Sequence, residues 1–505
     1  MVAKTTPSGF TVRHYCQGIG DCHLLRFTKS DGKPYWMLID CGIHTSITGG
    51  SKIVDAIVAD IETTTGGHID VLVLTHEHTD HNSAFSPGPN RFANITIGEL
   101  WMAWTESESD PQAQALDKFT QQALSALSGA SHALSSAQGL SPGMQALRDG
   151  LDSLLGFSFG AKGERVRAFR KCAEAMATKG IRYLEPAQPP LAIKGLPSLR
   201  IYVLAPSRDE NYLRILERAG EMYKVADKAN GSRIAYSLSS AMAAQGSEYL
   251  VEDAAAPFEA STGSDLGDLA APGAQSGENP IQAFARDHYF GPMTSAAPAV
   301  SSRRRKKLVD PNETDQAWRR IDHDWLTSSG ELALQLDSKT NNTSLVLAFE
   351  FVDTQRVFLF AADAQVGNWL SWQDTTWTFK DGAVVTGPDL LARTVYYKVG
   401  HHGSQNATLQ DKGLELMTNP DLSAFIPTNE ADAKKVKWGE MPYHGILAAL
   451  ERLCGDRVVR ADDGWLTGSN APFRTPTGCV QGVRWGSATS GSDEPRLRWV
   501  EFDLT

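Results

Sequence analysis

Cysteine is scarce in this 505-residue chain and widely spaced: Cys16, Cys22, Cys41, Cys172, Cys454 and Cys479 form no C-x-x-C pair and no dense framework. A small disulfide-stapled secreted scaffold is thereby excluded, and the thiols read as small buried hydrophobes in a reducing cytosol. There is also no apolar run of about 18 residues, and residues 1–20 hold no positive segment followed by an apolar stretch, so neither a membrane span nor a secretory leader is expected. A soluble cytoplasmic protein is the expectation. Positive charge is short as well, since 48 Lys and Arg face 59 Asp and Glu for a net charge of −11. A coat of basic surface is ruled out, although a local basic groove on an acidic body is not. No internal repeat is evident.

At 41% apolar residues the chain can bury a substantial core, and its length allows roughly two to four domains. Residues 10–40 alternate in a strand-like way through Phe10-Thr11-Val12-Arg13, Cys22-His23-Leu24-Leu25-Arg26-Phe27 and Tyr35-Trp36-Met37-Leu38-Ile39-Asp40, with Asp31-Gly32 as a turn. This predicts an antiparallel meander. Ile53, Ala56, Ile57 and Ile61 have helical spacing, and strands are expected over 95–104, 199–205, 344–351 and 356–361. Three amphipathic helical patterns occupy 110–180, carried by Leu116, Phe119, Ala123 and Leu127; by Met144, Leu147, Leu151 and Leu154; and by Val166, Phe169, Ala173 and Met176. They read as an inserted helical bundle or cap. The stretches 254–280 and 291–302 are rich in small and polar residues, and Arg303-Arg304-Arg305-Lys306-Lys307 beside them reads as solvated linker charge before a phosphate clamp. Helices are expected over 313–326 and 446–453.

The most informative segment is Thr75-His76-Glu77-His78-Thr79-Asp80-His81-Asn82, directly after the apolar run Val71-Leu72-Val73-Leu74. Rings one residue apart can aim at one point, while Asp80 and His81 turn toward a second. Imidazole nitrogen and carboxylate oxygen suit zinc and also manganese or iron, and a pair of metals can clamp both oxygens of a displacement. Two more strand ends supply donors, Val357-Phe358-Leu359-Phe360-Ala361-Ala362-Asp363 and Val395-Tyr396-Tyr397-Lys398-Val399-Gly400-His401-His402-Gly403-Ser404.

The ordered set Asp40, His76-x-His78-x-Asp80-His81, Asp363, His401-His402 resembles the metallo-β-lactamase fold superfamily. Within it the chain is most similar to the branch holding the soluble domain of the competence-type DNA-uptake channel. Gly18-Ile19-Gly20-Asp21-Cys22 is like that branch's V-G-Q-G-D, Asn341-Asn342-Thr343-Ser344-Leu345-Val346-Leu347 is like its N-x-S-L-V-L, and Lys398 to Ser404 is like its K-V-x-H-H-G-S. These motifs cover 10–105, 198–206 and 340–410.

The resemblance implies an α/β fold, an αββα metallo-β-lactamase sandwich with a helical insertion. Residues 1–105 would form the first half of the core, 106–185 the helical insert or cap, and 186–220 a core strand and helix. A flexible, partly disordered insertion with the basic run would follow over 221–312, then the second half of the core and a C-terminal elaboration over 313–505. Two divalent metal ions are implied, zinc foremost and manganese admitted. His76 and His78 would bind the first, Asp80 and His81 the second, Asp363 would bridge, and His402 would complete the second site. His401 would contact substrate or support a ligand, Asp40 would orient a ligand histidine, and Asp80 would position a metal-bound hydroxide for attack. Many members carry another histidine after the strand that here ends Leu204-Ala205-Pro206-Ser207; none occurs here, and His132, His288 and His323 read as surface or capping residues.

Phosphodiester hydrolysis, with a nucleic acid or nucleotide as substrate, is the leading functional expectation. The alternatives are a non-phosphate ester, lactone or amide hydrolase of the same fold, and a metal-bearing interaction subunit with weak or regulated catalysis that binds a protein partner through the helical insert. Ser404 and Asn406 would contact substrate or cap their loop, and His444 would do the same or simply open a helix.

Overall fold

The computed structural model describes residues 9–136, 142–155, 164–215, 221–222, 328–435, 440–462, 477–487 and 498–505. The basic run, the small-residue stretches, the helix expected over 313–326, His288 and His323 lie outside them. The chain divides into two compact units, one made of Met1–Ser128, Leu151–Asn230 and Ala333–Thr505, the other of Gly129–Gly150 and Gly231–Leu332. In the second, Ala130, Leu134 and Met144 are buried.

The fold is mixed α/β, and both large sheets belong to the first unit. Strands β1 (Phe10–Cys16), β2 (Cys22–Thr28) and β3 (Pro34–Cys41) form the expected antiparallel meander. The helix Gly50–Thr65 then carries the chain to β4 (His68–Val73), which pairs parallel with β3 and with β5 (Thr96–Ala103). Isoleucines and valines at 53, 54, 57, 58 and 61 give that helix one buried stripe, and Gly66 in the left-handed region stops it. The three helices expected over 110–180 are Pro111–Ser136, Pro142–Leu154 and Glu164–Met176. After them come β6 (Ile181–Leu184), β7 (Leu191–Ile193) and β8 (Leu196–Ala205), and, beyond the helix Ser328–Asn342, β9 (Val346–Phe351) and β10 (Arg356–Phe360). The chain continues through a small hairpin of β11 (Thr376–Thr378) and β12 (Val384–Thr386) to β13 (Thr394–Lys398), β14 (Ser423–Ile426), β15 (Val458–Arg460), β16 (Val480–Ser487) and β17 (Arg498–Leu504).

The first sheet has the order β16-β17-β1-β2-β3-β4-β5-β6, the second β15-β14-β13-β10-β9-β8-β7. Each is antiparallel at one end and parallel at the other, and the parallel blocks are β3 to β6 and β10-β13-β14-β15. Parallel strands need crossovers, and the helices that make them cover the strands from outside.

Side-chain alternation sends each sheet's residues into two different cores. Val12, Phe27, Met37 and Val71 of the first sheet share one cluster with Ile201, Leu347, Phe349 and Phe358 of the second. Leu24, Leu38, Leu72 and Leu100, on the opposite face of the first sheet, pack with Ile57 and Ile61 of the helix Gly50–Thr65 and with Phe169 and Ala173 of the helix Glu164–Met176. Tyr202, Ala348, Leu359 and Tyr397 do the same on the second sheet with Trp369, Leu390 and Ile446 from the helices Val366–Trp372, Gly387–Ala392 and His444–Cys454. Among the described residues no helix is long and apolar enough to cross a membrane.

Phe349 is fully buried between the sheets, with its ring centroid 5.8 Å from that of Phe27 and 5.5 Å from that of Phe360. Phe349→Ala is expected to lower the free energy of unfolding by about 3–5 kcal/mol, read from denaturant midpoints at unchanged slope.

Candidate metal centre

Four strands of the parallel blocks end at one place. β3 ends in Asp40-Cys41, and after β4 comes the Thr75–Asn82 segment, after β10 Asp363, and after β13 His401-His402. Open parallel sheets offer binding sites at the carboxyl ends of their strands, where loops turn away and leave polar ends unpaired. Glycines bring the loops together: a Cβ on Gly42 would stand 2.3 Å from the Asp80 carbonyl carbon, and one on Gly20 would stand 2.6 Å from the Asp80 oxygen. Non-glycine residues at positive φ are few among the described residues, yet Asp40 (55°), Ala362 (48°), His401 (42°) and His402 (53°) all lie here. Such backbone costs about 1–3 kcal/mol per residue and persists where surrounding contacts enforce it.

Asp80, His81, Asp363 and His402, all buried, place one donor atom each within 4.8 Å of the others. Asp363 Oδ2 is the common neighbour, 3.2 Å from His81 Nε2, 3.6 Å from His402 Nε2 and 3.9 Å from His76 Nε2. His402 Nε2 is 2.9 Å from Asp80 Oδ2, and His76 Nε2 is 3.1 Å from His78 Nδ1. The structure thus brings together the six residues expected as ligands, and gathers four of them into one compact set.

The hydrogen bonding shows what that set lacks. Asp40 accepts from Thr75 N at 2.9 Å and Thr75 Oγ1 at 2.6 Å, and its Oδ2 lies 2.9 Å from His81 Nδ1. A proton on Nδ1 serves that contact and leaves Nε2 as a lone pair facing the Asp363 and Asp80 carboxylates. An acceptor then faces acceptors, an arrangement that a cation between them satisfies. In the metal-free chain that cation is a proton. Burial opposes charge on His81, but the Asp363 and Asp80 carboxylates outweigh it and raise its pKa well above the ordinary value, and the same carboxylates raise His402 against its burial. Burial also opposes charge on Asp80 and Asp363, yet the neighbouring imidazoles hold both well below the usual carboxylate range. Burial and the adjacent rings push His76 far down, and burial takes His78 down to about 4, so both present neutral lone pairs. Two carboxylates and four imidazoles with buried, convergent donors fit a divalent ion of the zinc or manganese type.

Asp40 stands behind His81, where it was expected to orient a ligand. His401 turns its ring away from the cluster. Its Nδ1 lies 2.6 Å from Ser404 Oγ, 3.2 Å from Asn406 Oδ1 and 3.2 Å from Gln365 Nε2, and its Nε2 lies 3.3 Å from Asn341 Nδ2. Its backbone N donates to Asp363 Oδ1 at 3.1 Å, so the left-handed turn pins the shared carboxylate. Ser404 and Asn406 therefore hold the His401 ring. His444 is not brought into the cluster: its side chain is 70% exposed and faces Glu440 at 3.5 Å. Trp438 and Gly439, shortly before it in the chain, lie outside the described residues.

Sequence reasoning missed several contributors. Lys398 Nζ pairs with Asp21 under the cluster, and Asp21 Oδ2 is 3.9 Å from His81 Nδ1. Asp21, Asp40 and His81 also lie close enough together to hold an ion, but the Lys398 ammonium already supplies the positive charge. It overcomes burial and keeps the Asp21 carboxyl far below its ordinary range. Both residues stood inside recognised motifs, but only the fold shows that residues 377 positions apart meet. No histidine follows β8; the helix Ser328–Asn342 brings Asp337 Oδ1 to 3.6 Å from His78 Nε2, a contact without a sequence signal. Glu77, between the two leading histidines, faces Arg170 at 3.0 Å and is pushed up to about 7 by burial and by Glu106.

The raised pKa values of His81 and His402 give the metal-free protein a pH signature. Their contribution to stability is full below the ordinary imidazole value of 6.5 and is lost as pH climbs through the higher folded values. The thermal midpoint of chelator-treated protein is expected to fall as pH rises above 6.5, and added zinc is expected to reverse the fall with release of protons. Calorimetry in buffers of different ionisation heat reads both.

No protein-family model matches this chain, and no curated protein matches it either.

Proposed function

We propose that the chain is a divalent-metal phosphodiesterase or nuclease of the metallo-β-lactamase fold, an αββα sandwich with its site at one edge. In support of the fold, helices cover the outer faces of two sheets whose inner faces share one core. The observation that carries the function is the buried set Asp80, His81, Asp363 and His402, with His76 drawn to the same Asp363 oxygen. In this reading Asp80, His81 and His402 would hold one cation and His76 and His78 another, with Asp363 available to both.

Ions held there would neutralise phosphoryl oxygens and make water nucleophilic near neutral pH. The protein's own groups prepare the place. Asp40 and Thr75 fix the His81 tautomer, the His401 backbone N–H holds Asp363, and Lys398 cancels the charge of Asp21. Asp80 is the carboxylate we assign to orienting the attacking water. A phosphodiester is favoured over a neutral ester because its transition state spreads negative charge over several oxygens, which paired cations stabilise best. None of the six cysteines forms a disulfide and five of them are buried, which fits a reducing cytoplasm.

Purified protein supplied separately with zinc and with manganese is expected to hydrolyse bis(p-nitrophenyl) phosphate and labelled single- or double-stranded DNA or RNA. Asp80→Ala should lower the rate at least about 100-fold at similar folded content. Absence of cleavage with both ions demonstrably bound would transfer the site to non-phosphate ester hydrolysis or to a binding role.

A further inference from the structure

Beside the cluster lies an open groove of about 700 Å³, within the range of pockets that hold organic ligands. Its inner wall is the 43–47 loop, locked to the chain just past the metal ligands by Ile43 N donating to Ser83 Oγ at 2.9 Å and Ser83 Oγ donating to Ile43 O at 3.1 Å. His44 and Ser83 line it, and Gly42, which precedes the loop, lies against the Asp80 backbone, where a Cβ would stand 2.3 Å from the carbonyl carbon, so this end of the groove is next to the cluster. The floor is apolar, with Ile43, Ile47 and Phe169. The far wall belongs to the helix Glu164–Met176, where Arg165 is exposed.

Charge decides what this groove takes. The chain has a net charge of −11, yet none of the described residues lining the groove is acidic. Arg91 is committed, with Nε 2.6 Å from Asp55 Oδ1 and its other nitrogens on Ser86 and Ser51. Arg165 has no ion pair with any described residue and presents the groove's uncommitted cation. The cavity at Glu77 differs: Arg167, Arg170 and Lys339 there face Glu77, Glu106 and Asp117, three cations against three carboxylates. An apolar floor between the cluster and a free guanidinium matches a base and sugar followed by a phosphate.

We propose that this groove seats the nucleotides flanking the reacting phosphodiester of a flexible single strand, with Arg165 on the next phosphate of that strand. The inference rests on the phosphodiesterase reading and adds its substrate class. An apolar floor of Ile43, Ile47 and Phe169 takes the face of an unpaired base, which a duplex keeps stacked inside itself and a single strand exposes.

The test uses the full chain and its Arg165→Glu, Arg165→Lys and Lys33→Glu variants. Lys33 is 77% exposed on the β2–β3 turn, and its replacement makes the same change in net charge away from the groove. Binding of fluorescein-labelled single-stranded DNA and RNA hexanucleotides is read by anisotropy, and hydrolysis of hexanucleotide and of bis(p-nitrophenyl) phosphate is followed in parallel. Arg165→Glu is expected to weaken hexanucleotide binding and raise its KM about tenfold or more with kcat little changed. Arg165→Lys should recover most of the loss, and Lys33→Glu should resemble wild type. Bis(p-nitrophenyl) phosphate, which carries no second phosphate for Arg165, should be hydrolysed equally by all. Hexanucleotide binding by Arg165→Glu within about twofold of wild type, an equal loss in Lys33→Glu, or no binding by wild type overturns the proposal. Failure to hydrolyse bis(p-nitrophenyl) phosphate overturns the phosphodiesterase reading instead, and the binding arm still reports on the groove.

Discussion

The structure turns on a conflict among acceptors. His81 Nδ1 is committed to Asp40, which leaves its Nε2 lone pair 3.2 Å from an oxygen of Asp363 inside a protein core. A neutral ring that gives its proton to the Asp40 carboxylate has none left for Asp363, and Asp40 is held in place by both the backbone and the hydroxyl of Thr75. A cation must sit there, either as a proton on the ring or as a metal between ring and carboxylates. The surrounding architecture, with two parallel blocks that end side by side, glycines that let loops touch Asp80, and left-handed residues at Asp40, Ala362, His401 and His402, works to hold the donors in this otherwise unfavourable proximity.

That arrangement explains why the neighbourhood of the cluster is built as it is. Lys398 is an internal counter-charge, so Asp21 can support the site from below without adding an uncompensated charge to it. His401, adjacent in sequence to a cluster residue, is turned outward into a cage of Asn341, Gln365, Ser404 and Asn406, and its backbone rather than its ring acts on Asp363. Two adjacent histidines, both in the left-handed region, thus take opposite tasks.

Much of this was legible in the sequence because it is local. The meander, the helix Gly50–Thr65, the strand that delivers His76 and the helices over 110–180 follow from apolar periodicity, and alternating imidazoles after a buried strand point to convergent donors. What escaped is non-local or contextual. The pairing of Lys398 with Asp21, the approach of Asp337 to His78, and the groove formed by the 43–47 loop and the helix Glu164–Met176 depend on how distant segments dock, and no spacing rule encodes that. His444 follows the plainer of its two expected roles: it opens a helix with its ring in solvent.

The central claim is that the Asp80, His81, Asp363 and His402 cluster exists to hold a metal. The most direct measurement is the metal content, by plasma mass spectrometry, of wild type and Asp363→Ala after loading with zinc or manganese and exhaustive dialysis, with circular dichroism confirming that both are folded. The account predicts a pair of ions retained by wild type and the loss of at least one from the variant. A folded wild type that keeps no metal, or a variant that keeps as much as wild type, would contradict it.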